Sequence, residues 1–129
     1  MKVLALDYGA ARIGVAMGDT LQHIAFPRGV IAAKTAFADI AALCGAENVE
    51  LIVVGLPLTL QGEVGHQAKD VQGFAEALRA ATGIGVRFID ERLTSSEAVA
   101  RARESGRSID EIAAVIILET FFRTFDAET

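Results

Sequence analysis

Two predicted strands open the chain, in the stretch Lys2-Val3-Leu4-Ala5-Leu6-Asp7-Tyr8-Gly9-Ala10-Ala11-Arg12-Ile13-Gly14-Val15-Ala16-Met17. The loop between them is short, which predicts an antiparallel hairpin of residues 2–7 and 12–17. After Lys2 the first strand is apolar until it reaches Asp7. Because an isolated carboxylate is expensive to remove from water, an acid at the end of a core strand is usually paired or bound to a metal. Asp7 is therefore the first candidate for a functional site.

Length and composition predict one domain over residues 1–129, since 52% of the 129 residues are hydrophobic and can bury a sizeable core. No apolar run reaches the roughly 18 residues that span a bilayer, and no cleavable signal pattern precedes the first strand. We therefore expect a cytoplasmic protein without a membrane partner. Cys44 is the only cysteine, which excludes an intrachain disulfide and a cysteine-based zinc site and predicts an apolar packing role.

The formal net charge of −5 argues against broad, nonspecific coating of nucleic acid, which depends on many lysines and arginines. It does not exclude a nuclease. Clustered active-site carboxylates would add to the negative charge, and bound divalent cations would reverse the local sign where a phosphate lies.

Hydrophobic spacing along the rest of the chain predicts strands near 25–31, 51–55 and 86–90 and helices near 35–46 and 67–81. Gly83 is placed to end the second of these helices. Thr94 with Glu97, and Ser108 with Glu111, have capping-box spacing, so two further helices are expected to start just after Thr94 and Ser108. The predicted fold is α/β, with a mixed five-stranded sheet whose first three strands are antiparallel and whose faces are flanked by helices.

Four acids lie where predicted elements end or begin: Asp7, Asp90, Glu91 and Asp110. Acids at the carboxyl ends of strands can converge on one crevice, where hard oxygen ligands suit Mg²⁺ or Mn²⁺. Ordinary structural roles remain open. Asp110 could complement a helix dipole, and Asp90 or Glu91 could pair with a nearby arginine. Adjacent strand residues point to opposite faces, so the sequence does not choose between Asp90 and Glu91.

Other polar residues receive weaker interpretations. Arg12 and Arg92 are the preferred phosphate contacts because they lie beside the candidate acids, ahead of the three arginines at 101, 103 and 107. Asp19 suits an ordinary turn. His23 and His66 have no partner at metal-ligand spacing, which argues against a histidine metal site.

Four motifs occur in order along the chain: Asp7-x-Gly9-x-x-Arg12-Ile13-Gly14-Val15-Ala16, Val54-Gly55-Leu56-Pro57-Leu58, Asp90-Glu91-Arg92-Leu93-Thr94 and Ile109-Asp110-x-x-Ala113-Ala114. In this combination the chain resembles the YqgF family, also called RuvX-like, of the ribonuclease H-like superfamily. The resemblance runs from about Lys2 to Phe122. It implies a ribonuclease H-like sheet and a metal-dependent nuclease that acts on structured RNA or branched DNA.

Carried over by position, the resemblance assigns catalytic and metal-binding roles to Asp7, to Glu91 or its neighbour Asp90, and to Asp110. On the substrate side it points to Arg12, Arg92, Thr94 and Gly9. The implied reaction is a two-metal phosphodiester cleavage with water as the nucleophile, in which Asp7 bridges two Mg²⁺ or Mn²⁺ ions. The implied substrate is either the 5′ end of precursor 16S rRNA or a Holliday junction.

We expect precursor rRNA rather than a four-way junction, because a resolvase needs two paired sites and no strong dimer face is evident. A monomer or weak homodimer is expected. A non-catalytic nucleic-acid-binding module is an alternative, which the intact set of acids disfavours. A sugar-kinase or ATPase fold would need two lobes. A phosphoacceptor receiver domain would need an acid after the central strand and a late lysine, but no lysine follows Lys69.

Overall fold

The computed structural model describes residues 1–57, 59, 61–91 and 94–128, and the side chains of all of these except 94, 95 and 126–128. The strands in this part of the chain are β1 (Lys2–Tyr8), β2 (Arg12–Asp19), β3 (Ala25–Ala32), β4 (Leu51–Leu56) and β5 (Gly85–Asp90). The α-helices are α1 (Ala36–Glu47), α2 (His66–Thr82), α3 (Thr94–Ser105) and α4 (Ile109–Glu128). A single 3₁₀ turn, Ala33–Thr35, leads into α1. The predicted elements are confirmed, with bounds that differ by one or two residues.

The strands form one mixed sheet in the order β3-β2-β1-β4-β5. The pairs β1–β2 and β2–β3 are antiparallel, whereas β4 runs parallel to both β1 and β5. The predicted hairpin is therefore present, and it places Asp7 directly opposite Gly14. Because β1, β4 and β5 run in the same direction, their carboxyl ends lie along one edge of the sheet.

The two faces of the sheet bury different sets of side chains, since alternate residues of each strand point to opposite sides. One face packs on α1 and α2 and includes Leu4, Leu6, Ile13, Val15, Met17, Ile52 and Val54. Cys44 lies within this core as a buried thiol, as predicted. The other face packs on α4 and includes Val3, Ala5, Ala16 and Val53.

Helix α4 lies along the sheet and carries α3 on its outer side. Its inner residues, among them Ala114, Leu118 and Phe121, are buried against the strands. Its outer residues Ile112 and Ile116 form a separate cluster with the alanines of α3. Across the described residues, no helix is both long enough and apolar enough to cross a membrane.

Glycines end two of the helices where the backbone turns left-handed. Gly83 follows α2 with φ +72°, as predicted, and its N–H donates to the carbonyl of Arg79 at 2.8 Å. Gly106 has φ +74° and separates α3 from α4. Glycine adopts this conformation more readily than any other residue, so both residues are well suited to stop a helix.

Candidate active site

Asp7 lies near the end of β1, on the face of the sheet that α4 covers. It shares this face with Val3 and Ala5, which are buried against α4. The carboxyl group of Asp7 is hydrogen-bonded to that of Glu91, which follows β5 directly. Two acids that are 84 positions apart in sequence therefore meet at the carboxyl ends of two parallel strands.

Alternate residues of a strand point to opposite faces of the sheet, and this separates Asp90 from Glu91, between which the sequence does not choose. Glu91 continues the row of Ile89 on the α4 face, where its carboxyl group contacts Asp7. Asp90 pairs with Leu56 across the ladder, lies on the opposite face and is exposed. The structure therefore brings Glu91, and not Asp90, to Asp7.

Gly55 makes room for the Glu91 carboxyl group. A Cβ atom at position 55 would lie 2.6 Å from Glu91 Oε2 and 2.6 Å from Ile117 Cδ1. Any side chain there would displace the acid or helix α4. Gly55, the glycine of the second motif, is thus required by packing, because the Glu91 carboxyl group lies close to the β4 backbone.

Asp110 reaches the same region from the first turn of α4. The backbone of Asp110 lies directly on Gly14, where a Cβ atom would overlap the Asp110 carbonyl. Gly14 is the ladder partner of Asp7, so this contact sets Asp110 beside Asp7. The side chain of Asp110 forms an ion pair with Arg12, with 3.1 Å between Oδ2 and Nε, and the Arg12 side chain is 71% exposed.

Burial raises the pKa of both acids in the pair, and the negative charge of another acid raises each pKa further. Burial raises the pKa of Asp7 to about 6; the hydrogen bond from Glu91 works against this rise, and the charge of Asp110 adds to it. Burial, followed by the charge of Asp7, raises the pKa of Glu91 to about 8. Near neutral pH the protonated Glu91 carboxyl therefore donates a hydrogen bond to the ionised Asp7 carboxylate.

The pair fits a divalent cation in its donor chemistry. Carboxylate oxygens are the ligands that Mg²⁺ and Mn²⁺ prefer, and a nearby dication would favour the ionised form of both acids. Asp110 stands beside them but is engaged with Arg12. Within the described residues, no three potential ligand side chains are already grouped to hold a metal ion. Asp7 and Glu91 are thus the two carboxyl groups that the fold brings together, and Asp110 lies beside Asp7.

Of the other residues predicted to contact substrate, the structure describes some and not others. Gly9 lies in the β1–β2 loop, where a Cβ atom would meet the Arg12 carbonyl oxygen at 2.5 Å. Its glycine identity therefore keeps the loop tight beside Asp7. Arg92 and the side chain of Thr94 lie outside the described residues. The predictions that place them near substrate stay predictions.

Several residues outside the pair have structural partners. Asp19 Oδ1 accepts the N–H of Leu21 at 2.7 Å, which confirms its predicted role in a turn. His23 stacks on Phe122 with 5.6 Å between ring centroids. Among the arginines given lower weight, Arg101 pairs with Glu119 and Arg107 pairs with Glu111.

Glu111 is a residue that the sequence interpretation placed in a purely local role. The expected capping box is half formed, because the Glu111 N–H donates to Ser108 Oγ at 3.1 Å. Its carboxylate, however, accepts the N–H of Gly29 at 2.6 Å, and the residue is only 7% exposed. No local sequence rule reports a contact between residues 82 positions apart.

A family model described as "RuvX: Holliday junction resolvase" matches residues 1–124. A protein of Anaeromyxobacter sp. (strain Fw109-5) described as "Putative pre-16S rRNA nuclease" is 40% identical, over 92% of this chain and 94% of its own length. A protein of Chloroflexus aggregans with the same description is 43% identical, over 92% and 91%.

Similarity in three dimensions extends to a more distant protein. A solved structure described as "T. thermophilus RuvC in complex with Holliday junction substrate" superposes with a TM-score of 0.67 at 15% identity, covering 98% of this chain and 96% of that one. The RuvC-like fold confirms the predicted ribonuclease H-like architecture. The family match and the two relatives confirm the RuvX-like resemblance seen in the motifs.

Proposed function

We propose that this chain, which belongs to the RuvX family, is a metal-dependent endonuclease that hydrolyses phosphodiester bonds in nucleic acid. The observation that carries the proposal is the hydrogen-bonded pair of Asp7 and Glu91, with Asp110 beside it. Two partly buried acids held side by side are costly for a fold to maintain, and such perturbed groups cluster at functional sites. The relatives described as nucleases support the same activity.

Asp7 and Glu91 would hold Mg²⁺ or Mn²⁺, with Asp110 as the third acid. The cation would supply Lewis-acid activation of water and of the scissile phosphate. Gly14 and Gly55 keep the backbone and carboxyl groups close together around Asp7. Glu91 is the proton-carrying member of the pair near neutral pH, so it must release a proton before it can serve as a ligand.

Arg12 is the described residue best placed to contact a phosphate flanking the cleaved bond. Its side chain is 71% exposed while Nε remains on Asp110. A planar guanidinium presents five N–H donors, so pairing through Nε is compatible with phosphate contact through its other nitrogens. Removing the arginine should therefore weaken substrate binding and also release Asp110.

The substrate we propose is the 5′ end of precursor 16S rRNA, acted on in the cytoplasm by a monomer or weak homodimer. The proposal is supported by relatives that are about 40% identical over nearly the whole chain and are described as pre-16S rRNA nucleases. A branched DNA junction is the second candidate. It is favoured by the description of the matching family model.

The two candidates are separated by a direct cleavage assay. Purified protein is incubated with a precursor 16S rRNA 5′ segment and, separately, with a synthetic four-way DNA junction, each with Mn²⁺ or with EDTA. The proposal expects cleavage of the RNA in Mn²⁺ and no cleavage in EDTA. Selective cleavage of the junction would replace the RNA assignment, and cleavage of neither substrate would remove the nuclease assignment.

A further inference from the structure

Strand β3 contains a bulge beside the candidate active site. Gly14 pairs with Val30, whereas Ala16, two residues along β2, pairs with Pro27, so β3 carries an extra residue between these pairs. Gly29 lies in the bulge with φ +97°, a conformation that strains other residues. A bulge leaves backbone groups outside the regular ladder, and these need another hydrogen-bond partner.

Glu111 provides that partner from the first turn of α4. Its Oε2 accepts the Gly29 N–H at 2.6 Å, and the same oxygen lies 3.5 Å from Arg107 Nη1. Glu111 is 7% exposed, so the hydrogen bond is shielded from water. A buried carboxylate held by a backbone amide and a guanidinium makes a short, charge-assisted contact.

Apolar side chains hold the first turn of α4 on the sheet less firmly than they hold the rest of the helix. Ile109 is 50% exposed and Ile112 is buried against the alanines of α3, whereas Ala114, Leu118 and Phe121 further along are buried against the strands. Between the first turn of α4 and the sheet, polar contacts therefore add to the backbone contact of Asp110 with Gly14. Glu111 is the next residue after Asp110 and ties this turn to β3, the strand paired with β2.

We propose that Glu111 is a positioning residue, which fixes the first turn of α4 on the β3 bulge and thereby holds Asp110 beside Asp7. This inference rests on the proposed function, because it assigns Asp110 to a metal site. Groups that orient metal ligands without touching the metal commonly change metal affinity when they are replaced. Glu111 would act in this way through the helix backbone.

The test compares Glu111→Ala with the conservative Glu111→Gln, using Mn²⁺ alone as the probe. Calorimetric titration of the folded proteins should show Mn²⁺ binding weakened by about tenfold or more in Glu111→Ala. Glu111→Gln keeps an oxygen that accepts the Gly29 N–H, so its affinity should stay closer to wild type than to Glu111→Ala. The Gly29 amide resonance should move upfield in Glu111→Ala, because its charge-assisted hydrogen bond is lost.

The matched control is Glu119→Ala on the same helix. Glu119 pairs with Arg101 at 2.7 Å, so this change also removes an ion pair, but one formed with α3. It should leave Mn²⁺ affinity unchanged. If Glu111→Ala binds Mn²⁺ as tightly as wild type, the positioning role is wrong. It is also wrong if Glu111→Ala and Glu119→Ala lose Mn²⁺ affinity to the same extent. If wild type itself binds no Mn²⁺ and cleaves nothing, the proposed function has failed instead.

Discussion

Side chains of two sizes cover the two faces of the sheet. On the face toward α1 and α2, the central strands present large residues such as Leu4, Ile13 and Ile52. On the face toward α4, the same strands present smaller residues, namely Val3, Val53, Ala5, Ala16 and glycines. Large residues fill the space beneath two helices and contribute roughly 1.5–3 kcal/mol each when fully buried. Small residues contribute less, but they let the α4 backbone approach the strands.

This difference in size separates stability from function within one sheet. The candidate acids all lie on the side with small residues, where Gly14 meets the backbone of Asp110 and Gly55 meets the carboxyl group of Glu91. A larger residue at either glycine would move an acid away from Asp7. The face with large residues carries none of the three acids and is free to serve as a conventional core.

The largest effect is expected on the α4 face from Asp7→Asn. The rate of cleavage should fall by more than about 100-fold. Replacing a residue that only supports a metal ligand already lowers metal affinity or activity by about 10–100-fold, and Asp7 is proposed as a ligand itself. The unfolding temperature should stay the same or rise, since the cost of keeping a partly buried charge at position 7 is removed. Asp19→Asn is the matched control and should cleave like wild type. Cleavage rates and thermal unfolding measure both outcomes, and an Asp7→Asn variant with normal cleavage would contradict the assignment of the site.

Opposite substitutions at neighbouring positions of β1 test the two faces next. Leu4→Ala leaves a cavity on the large-residue face and should lower the free energy of unfolding by about 2–5 kcal/mol. Ala5→Leu overfills the small-residue face and should lower it by about 1–3 kcal/mol. Only Ala5→Leu should also slow cleavage per folded molecule, because it pushes α4 outward. Urea unfolding measures the stability of the two variants, and activity assays measure their cleavage rates. Equal losses of activity would mean that the two faces are not specialised for stability and for function.

Gly14→Ala adds one methyl group and should lower both the stability of the protein and its rate of cleavage. The added Cβ would collide with the Asp110 backbone, so we expect a loss of about 3 kcal/mol in the free energy of unfolding. Cleavage should fall with it. Gly45→Ala, in an exposed part of α1 with open space around it, should instead stabilise by about 0.5–1 kcal/mol. A Gly14→Ala protein as stable as wild type would show that α4 does not approach β2 so closely.

The smallest expected effect is a pH dependence of stability in EDTA. The folded pKa values of Asp7 (about 6) and Glu91 (about 8) lie above their ordinary values of 3.8 and 4.5. The folded state therefore binds protons more tightly than the unfolded state. This contribution is fully present below about pH 4 and is lost as pH rises to about 8, and Glu91 accounts for most of the loss between pH 6 and 8. Thermal unfolding should occur at a lower temperature at pH 8.5 than at pH 6. Glu91→Gln should flatten this dependence, and an unchanged slope would assign it to other groups.

The sequence predicts the elements well because their signals are local. Hydrophobic periodicity places the strands and helices, Gly83 marks the end of α2, and Ser108 caps α4. The choice between Asp90 and Glu91 is not local. It depends on which face of the sheet α4 covers, and only the packed structure shows that Glu91 shares this face with Asp7.

Two long-range contacts also escape sequence reasoning. Arg12 is predicted as a phosphate contact, but its Nε is also paired with Asp110 across 98 positions of sequence. Glu111 fits a capping box with Ser108, yet its carboxylate turns to Gly29. In both cases the side chain could take the local role that the sequence predicts or contact a residue far away in sequence, and only tertiary packing determines which contacts form.

The β3 bulge also affects how the protein behaves among other chains. Strand β3 is an edge strand, and its exposed Phe26 and Val30 would favour pairing with a foreign strand. Pro27 has no N–H to offer, and the Gly29 N–H is already bound to Glu111. Two positions of β3 thus have no backbone donor to spare, and the bulge between Val30 and Pro27 breaks the regular spacing that an added strand would need. The Glu111 contact therefore stabilises an irregularity of the kind that makes an edge strand a poor template for pairing with another chain.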